Sequence, residues 1–240
     1  MKKLAIFTSL LLFTATVSAA YDVIEVKDGG TITGKITFSG KDTPPKKYTV
    51  TKDTDVCGSG EREIDYVEVN DGILANVVVY VDKVKKGKAF PDDIGDLTID
   101  QMGCEFKPFF GVMVNGKELS AKNSDSVAHN IHTYELIGKA RKTVTNVSQP
   151  NKDSVVTKEI KLKRGTAMKI ECDQHDFMHS LVFVAKNPYF SVVGSDGSFE
   201  ITDVPAGKYT VKAWHGVLKN PKDKVEVTAG GTTEVNFEFK

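Results

Sequence analysis

The feature that most constrains this chain is a two-residue apolar rhythm that recurs along its length and is broken at short intervals by turn dipeptides. Ile32, Ile36 and Phe38 fall on one face of an extended segment, and Val235, Phe237 and Phe239 repeat the pattern near the C-terminus. Val77 to Val81 is a continuous apolar run of the kind found in a fully buried strand. Asp28-Gly29-Gly30, Asp71-Gly72, Asn115-Gly116, Asp196-Gly197 and Gly230-Gly231 supply the turns. Helical character is expected only as a short turn around Asp92 to Asp100, and the polar stretch from Lys142 to Lys158 reads as a long surface loop. Many short strands without crossover helices predict an all-β protein of one or two antiparallel sandwiches. At about 150 residues per domain, a chain of 240 residues has room for two.

The first residues follow a different rule. Lys2 and Lys3 precede an uncharged apolar run from Leu4 to about Val17, and Ser18, Ala19 and Ala20 follow. That order predicts a secretory signal peptide over residues 1–20. A membrane anchor needs roughly 20 apolar residues; this run is shorter and interrupted by Thr and Ser. The expectation is therefore a periplasmic or secreted protein with no membrane span after cleavage. The whole chain balances 32 basic against 32 acidic residues, and loss of Lys2 and Lys3 leaves a net charge of −2. A near-neutral chain with no Lys/Arg block lacks the electrostatic footprint of a nucleic-acid binder. Export also carries the three cysteines into a compartment where disulfides persist, and an odd number cannot all pair within the chain.

The chemistry-bearing segment is Ile170-Glu171-Cys172-Asp173-Gln174-His175-Asp176-Phe177-Met178, with the spacing C-x2-H-x2-M. Upstream lies Asn123-Ser124-Asp125-Ser126-Val127-Ala128-His129-Asn130. Together they offer two imidazoles, a thiolate and a thioether, the donor set that selects a blue-copper centre with a weak axial Met. Strand alternation puts Met168, Ile170 and Cys172 on one apolar face, and Val127, His129 and Ile131 on another, so His129 points inward and His132 outward. Taken singly, Cys172 reads as an inert buried thiol, His175 as a loop residue and Met178 as core filler. The combination at this spacing reads as a metal site.

These residues resemble a cupredoxin, and the loop spacing is similar to that of amicyanin. The resemblance implies copper as cofactor, with His129, Cys172, His175 and Met178 as its ligands. Where the family often carries Pro before the first His and Thr-Pro or Ser-Pro after the Cys, this chain has Ala128, Asp173 and Gln174, which leaves the contact from Asn130 to the ligand loop open. With Cys172 taken by the metal, Cys57 and Cys104 are expected to form a disulfide, the other reading being two free buried thiols. His132, His179 and His215 have no role in the resemblance. They are expected at the surface or rim, with a second metal site as the minor reading and His215 placed toward a domain interface.

The run Ser198-Phe199-Glu200-Ile201-Thr202-Asp203-Val204-Pro205-Ala206-Gly207-Lys208-Tyr209-Thr210-Val211 resembles the carboxypeptidase-regulatory-like, or transthyretin-like, sandwich and its GxFxIxxVPxGxYxV pattern. Gly30 to Ile36 is similar to that fold's first strand. The expected organisation is a Greek-key cupredoxin sandwich over 72–186 and a second, transthyretin-like sandwich over 187–240. Residues 21–71 contribute strands to the second, an arrangement that resembles periplasmic methylamine-utilisation-like proteins.

No G-x-S-x-G, H-E-x-x-H or C-x-x-C-H motif is present, so the chain is not read as an enzyme. The resemblance implies single-electron transfer between periplasmic partners, a cytochrome or a dehydrogenase. The electron would pass through the edge of His175, with Phe177, Phe109 and Phe110 rimming a small apolar docking patch. The alternatives are a copper-binding or trafficking protein, and a structural β-sandwich with a metal-free module.

Overall fold

The computed structural model describes residues 21–240; the expected signal peptide lies outside the described residues. The described chain is all-β, with a single four-residue helix, Thr54–Cys57. Two bodies share one seam.

The first body is a sandwich. Its five-stranded sheet runs in the order Phe110–Val114, His179–Ala185, Ala167–Glu171, His129–Ile137, Ala140–Gln149, and its four-stranded sheet in the order Phe106–Lys107, Leu97–Gln101, Glu118–Asn123, Val155–Glu159. Inward residues of both sheets, among them Ile99, Leu119, Ala121, Met113, Ile131, Met168, Ile170 and Val182, form one buried cluster. The expected loop from Lys142 to Lys158 is instead mostly strand. Its residues are polar because Ala140–Gln149 lies at a sheet edge, with a largely solvent-facing pattern. The expected helical turn near Asp92 is likewise non-helical and leads into the strand Leu97–Gln101.

In the second body, Gly30–Phe38 pairs with Ser198–Val204, Thr232–Glu234 and Phe237–Phe239, and packs on the sheet Phe190–Val192, Val78–Val81, Gly207–Trp214, Lys222–Val227. Val78–Val81 therefore belongs to this body, although it falls inside the 72–186 segment. Its apolar run has a physical cause: Val79 and Val81 face the second body's core while Val78 faces the seam. His179–Ala185 is buried on both faces for the same reason, with Val182 and Val184 in the first core and Leu181, Phe183 and Ala185 in the seam beside Trp214. At the hairpin Val69–Asn70/Ile73–Leu74, Asp71 and Gly72 both take positive φ (51° and 81°), as a tight two-residue turn requires.

Lys46–Val50 and Gly60–Ile64, expected with the second sandwich, form a hairpin that lies on the first. Tyr48, Val50 and Cys57 bury themselves in the first core, and a disulfide joins Cys57 to Cys104 across a separation of 47 residues. This hairpin is a lid over one end of the first sandwich.

Candidate metal centre

His129 opens its strand, and Cys172 directly follows the antiparallel neighbour Ala167–Glu171, so both lie at the same end of the sheet. The loop Cys172 to Met178 then folds back on itself. The Cys172 N–H donates to the Met178 carbonyl (3.3 Å) and the Met178 N–H to the His175 carbonyl (3.0 Å). Consequently His129, Cys172 and His175 converge. Their nearest donor atoms form a triangle: Nδ1 to Nδ1 of the two imidazoles is 3.1 Å, and Cys172 Sγ is 3.8 Å from each Nδ1. Donors bound at about 2.0–2.3 Å in a trigonal plane would stand roughly 3.4–3.7 Å apart. The spacing thus suits one soft transition-metal ion. Met178 is buried in the same cluster, as are Cys172 and Phe177.

Each imidazole is held from behind by a carboxylate. His129 Nε2 lies 2.9 Å from Asp125 Oδ2, and His175 Nε2 lies 2.9 Å from Asp53 Oδ2. With each Nε2 donating to its carboxylate, both Nδ1 lone pairs face the space beside the thiol, and either a shared proton or a metal ion between them satisfies both. Carboxylate partners of this kind fix the tautomer and raise ligand basicity.

Asp125 does more than orient His129. Its two oxygens also accept the backbone N–H groups of Gly103 (2.7 Å) and Cys104 (2.8 Å), both in left-handed conformation. Burial alone raises the Asp125 carboxyl, but the donors from Cys104, His129 and Gly103 together carry it below the usual carboxylate range. Burial pushes the Cys172 thiol up, opposed by the N–H groups of Asn130, Gln174 and His175 directed at its sulfur. Burial pushes His175 down, opposed by Asp53. Asn130 pins the ligand loop from both sides of its amide: its oxygen accepts the Asp173 N–H (2.6 Å) and its nitrogen donates to the Asp173 carboxylate (2.9 Å). The contact left open by the unusual Ala128, Asp173 and Gln174 is thus made.

One expectation fails. The His175 edge is not a contact surface: the residue is 2% exposed, sealed by Asp53 at the tip of the lid, and Lys52 reaches Gln174 (2.6 Å) across the same boundary. Phe177 is buried under the Arg62 guanidinium, Phe110 stacks on Trp214 in the seam and Phe109 packs edge-on to Tyr66, so no apolar rim forms. The lid, which the strand pattern did not assign to this body, covers His175 and Phe177, while the seam takes Phe110.

The other histidines stand apart. His132 stacks on Tyr134 and contacts Asp173 (2.9 Å) and Thr143 (3.0 Å). His179 contacts the Tyr66 hydroxyl, which in turn meets Tyr48 (2.9 Å); burial pushes its imidazole down to about 4. His215 is buried and accepts the N–H groups of Val217 (3.4 Å) and Leu218 (3.2 Å). Among the described residues, none of the three joins a group of three His, Cys, Asp or Glu donors within 4.8 Å. Asp53, Asp125 and Arg62 were not singled out from sequence. Asp125 sits four residues before His129, but Asp53 is 122 residues from the imidazole it holds, and nothing in its local pattern announces it.

Residues 164–235 match the family model described as polysaccharide lyase family 4, domain II. No curated protein matches the chain. Among solved structures, the chain is similar to a novel purple cupredoxin from Nitrosopumilus maritimus, at 20% identity over 38% of this chain and 100% of that one, with a TM-score of 0.32. It is similar to amicyanin from Paracoccus versutus at 16% identity over 46% and 99% of the two chains, TM-score 0.31. A Cu-containing nitrite reductase from Thermus scotoductus SA-01 matches at 14% identity over 41% of this chain and 24% of its own, TM-score 0.30.

Proposed function

We propose that this protein is an exported type 1 copper protein that carries single electrons between periplasmic redox partners, a cytochrome or a dehydrogenase. The observation that carries the reading is the convergence of His129 Nδ1, His175 Nδ1 and Cys172 Sγ at 3.1–3.8 Å from one another, with both imidazoles oriented by carboxylates. These three residues would hold the metal, and Met178 joins them as the thioether donor of the same loop. Copper bound there supplies a one-electron Cu(II)/Cu(I) couple. Asp125 and Asp53 fix the two imidazoles, Asn130 fixes the loop, and the lid excludes water. Among the described residues no helix is long and apolar enough to cross a membrane.

A second reading, copper holding or delivery without rapid electron exchange, is favoured by the sealed His175 edge. One optical experiment separates the two. An intense blue or purple absorption on adding Cu(II), lost in Cys172→Ala and reversibly bleached by one electron, supports the electron carrier. Tight colourless Cu(I) binding with no Cu(II) colour supports the second reading, and absence of binding of either ion refutes both.

A further inference from the structure

The Cys57–Cys104 disulfide does not lie remote from the candidate centre. A sulfur of each cysteine and a ring nitrogen of His175 all lie within 4.8 Å of one another, and the Cys104 sulfur lies equally close to donor atoms of Asp125 and His129. All three cysteines of the chain therefore meet around His175, buried from solvent.

Both cysteines are also held together without their covalent bond. One Arg62 guanidinium donates to the Cys104 carbonyl (2.6 Å), the Cys57 carbonyl (2.7 Å) and the Gly103 carbonyl (3.1 Å), while its face rests on Phe177. Asp125 independently fixes the N–H groups of Gly103 and Cys104. A staple that only closed the lid would not need this clasp, because the disulfide alone fixes the two backbones. The clasp acts on the same two backbones that the bond sets 5.1 Å apart at Cα, so it is placed to keep the two sulfurs beside His175 when the bond is cut.

We propose that Cys57 and Cys104 form a second, reduction-dependent metal site that takes a soft monovalent ion, Cu(I), between two thiolates with His175 as neighbour. A dithiol reductant delivers two electrons and two protons and is itself oxidised to a disulfide. The Cys57–Cys104 bond breaks and two thiols form, and metal binding then releases their protons. Thiolate sulfur is the donor that selects Cu(I). The site does not require Cys172.

The test is Cu(I) titration of the Cys172→Ala protein against a chromophoric Cu(I) chelator, anaerobically, before and after reduction by a dithiol that is removed by desalting. The expected result is no competitive binding with the disulfide intact and one equivalent after reduction, a gain of at least a thousandfold in affinity. X-ray absorption should show two sulfur neighbours. Adding Cys57→Ser and Cys104→Ser must abolish the gain. Equal affinity in both redox states, or a gain that survives the serine substitutions, overturns the proposal. So does loss of the strand circular-dichroism signal on reduction before metal is added, because Arg62 and Asp125 then do not hold the two thiols. Failure of the oxidised wild-type protein to bind copper would instead count against the His129, Cys172 and His175 reading, and leaves this result independent.

Discussion

Replacing Asp125 by Ala strikes the point where the lid, the disulfide loop and a ligand imidazole are tied together. Its carboxylate, 6% exposed, accepts three donors: the N–H groups of Gly103 and Cys104 and the Nε2–H of His129. A buried donor left without a partner costs about 1–3 kcal/mol. Three of them, with some entry of water into the space vacated, should cost about 3–6 kcal/mol, a large fraction of the roughly 5–15 kcal/mol that stabilises a typical domain. Asp125→Asn keeps the volume and one oxygen but turns an N–H donor toward at least one of the three, so about half that loss is expected. Urea unfolding of metal-free, disulfide-intact protein measures both variants against the wild type. The sign with pH is fixed as well. A carboxyl held below its usual range in the folded state contributes stability above about pH 4, lost as pH falls through the folded value. A loss under 1 kcal/mol in Asp125→Ala, with an unchanged urea dependence, would refute the reasoning.

Other perturbations test separate parts of the account. Asp53→Ala removes the carboxylate behind His175 while leaving the three converging donors in place, so copper release to a chelator should accelerate about 10- to 100-fold; an unchanged release rate would show that the lid contributes no hold. His215 lies outside the metal centre, and burial pushes its imidazole down from 6.5 to about 4. Its neutral form is the folded one, so stability should be full above about pH 6.5 and fall by about 3 kcal/mol as pH drops toward 4. His215→Gln should flatten that part of the acid-unfolding curve, and a curve of the same slope argues against it. Gly34→Ala places a methyl 1.8 Å from the Val235 carbonyl oxygen and 2.8 Å from the Phe199 ring, and should lower stability by about 3 kcal/mol or more in thermal unfolding; a neutral result would mean that the strand Gly30–Phe38 shifts freely.

Legibility in the sequence tracks the range of the interaction concerned. The strands declared themselves because alternation is local: Ile32 and Ile36, or Met168 and Ile170, need only their own segment to show which way they face. Cys172, His175 and Met178 were readable because one short loop carries all three. His129 was readable because the apolar neighbours Val127 and Ile131 fix its direction. What stayed hidden depends on contacts across long sequence separations. Lys46 to Ile64 looks like any polar hairpin, and it is long-range contacts that bring it onto the site: the Cys57–Cys104 bond, the Arg62 and Asp53 hydrogen bonds, and the burial of Tyr48 and Val50 in the first core. That placement seals His175 and removes the docking surface that a bare ligand loop would offer. The strand Ala140–Gln149 looked like a loop because an edge strand exposed to water has no apolar face to display.

The central claim, that His129, His175 and Cys172 hold one copper ion between them, is tested most directly by anomalous diffraction at the copper edge from crystals of the copper-loaded, disulfide-intact protein. The account predicts one anomalous peak within bonding distance of His129 Nδ1, His175 Nδ1 and Cys172 Sγ, with Asp125 and Asp53 still on the two Nε2 atoms. Copper bound elsewhere, such as at His132 and Asp173, with the Cys172 sulfur unligated, would contradict it.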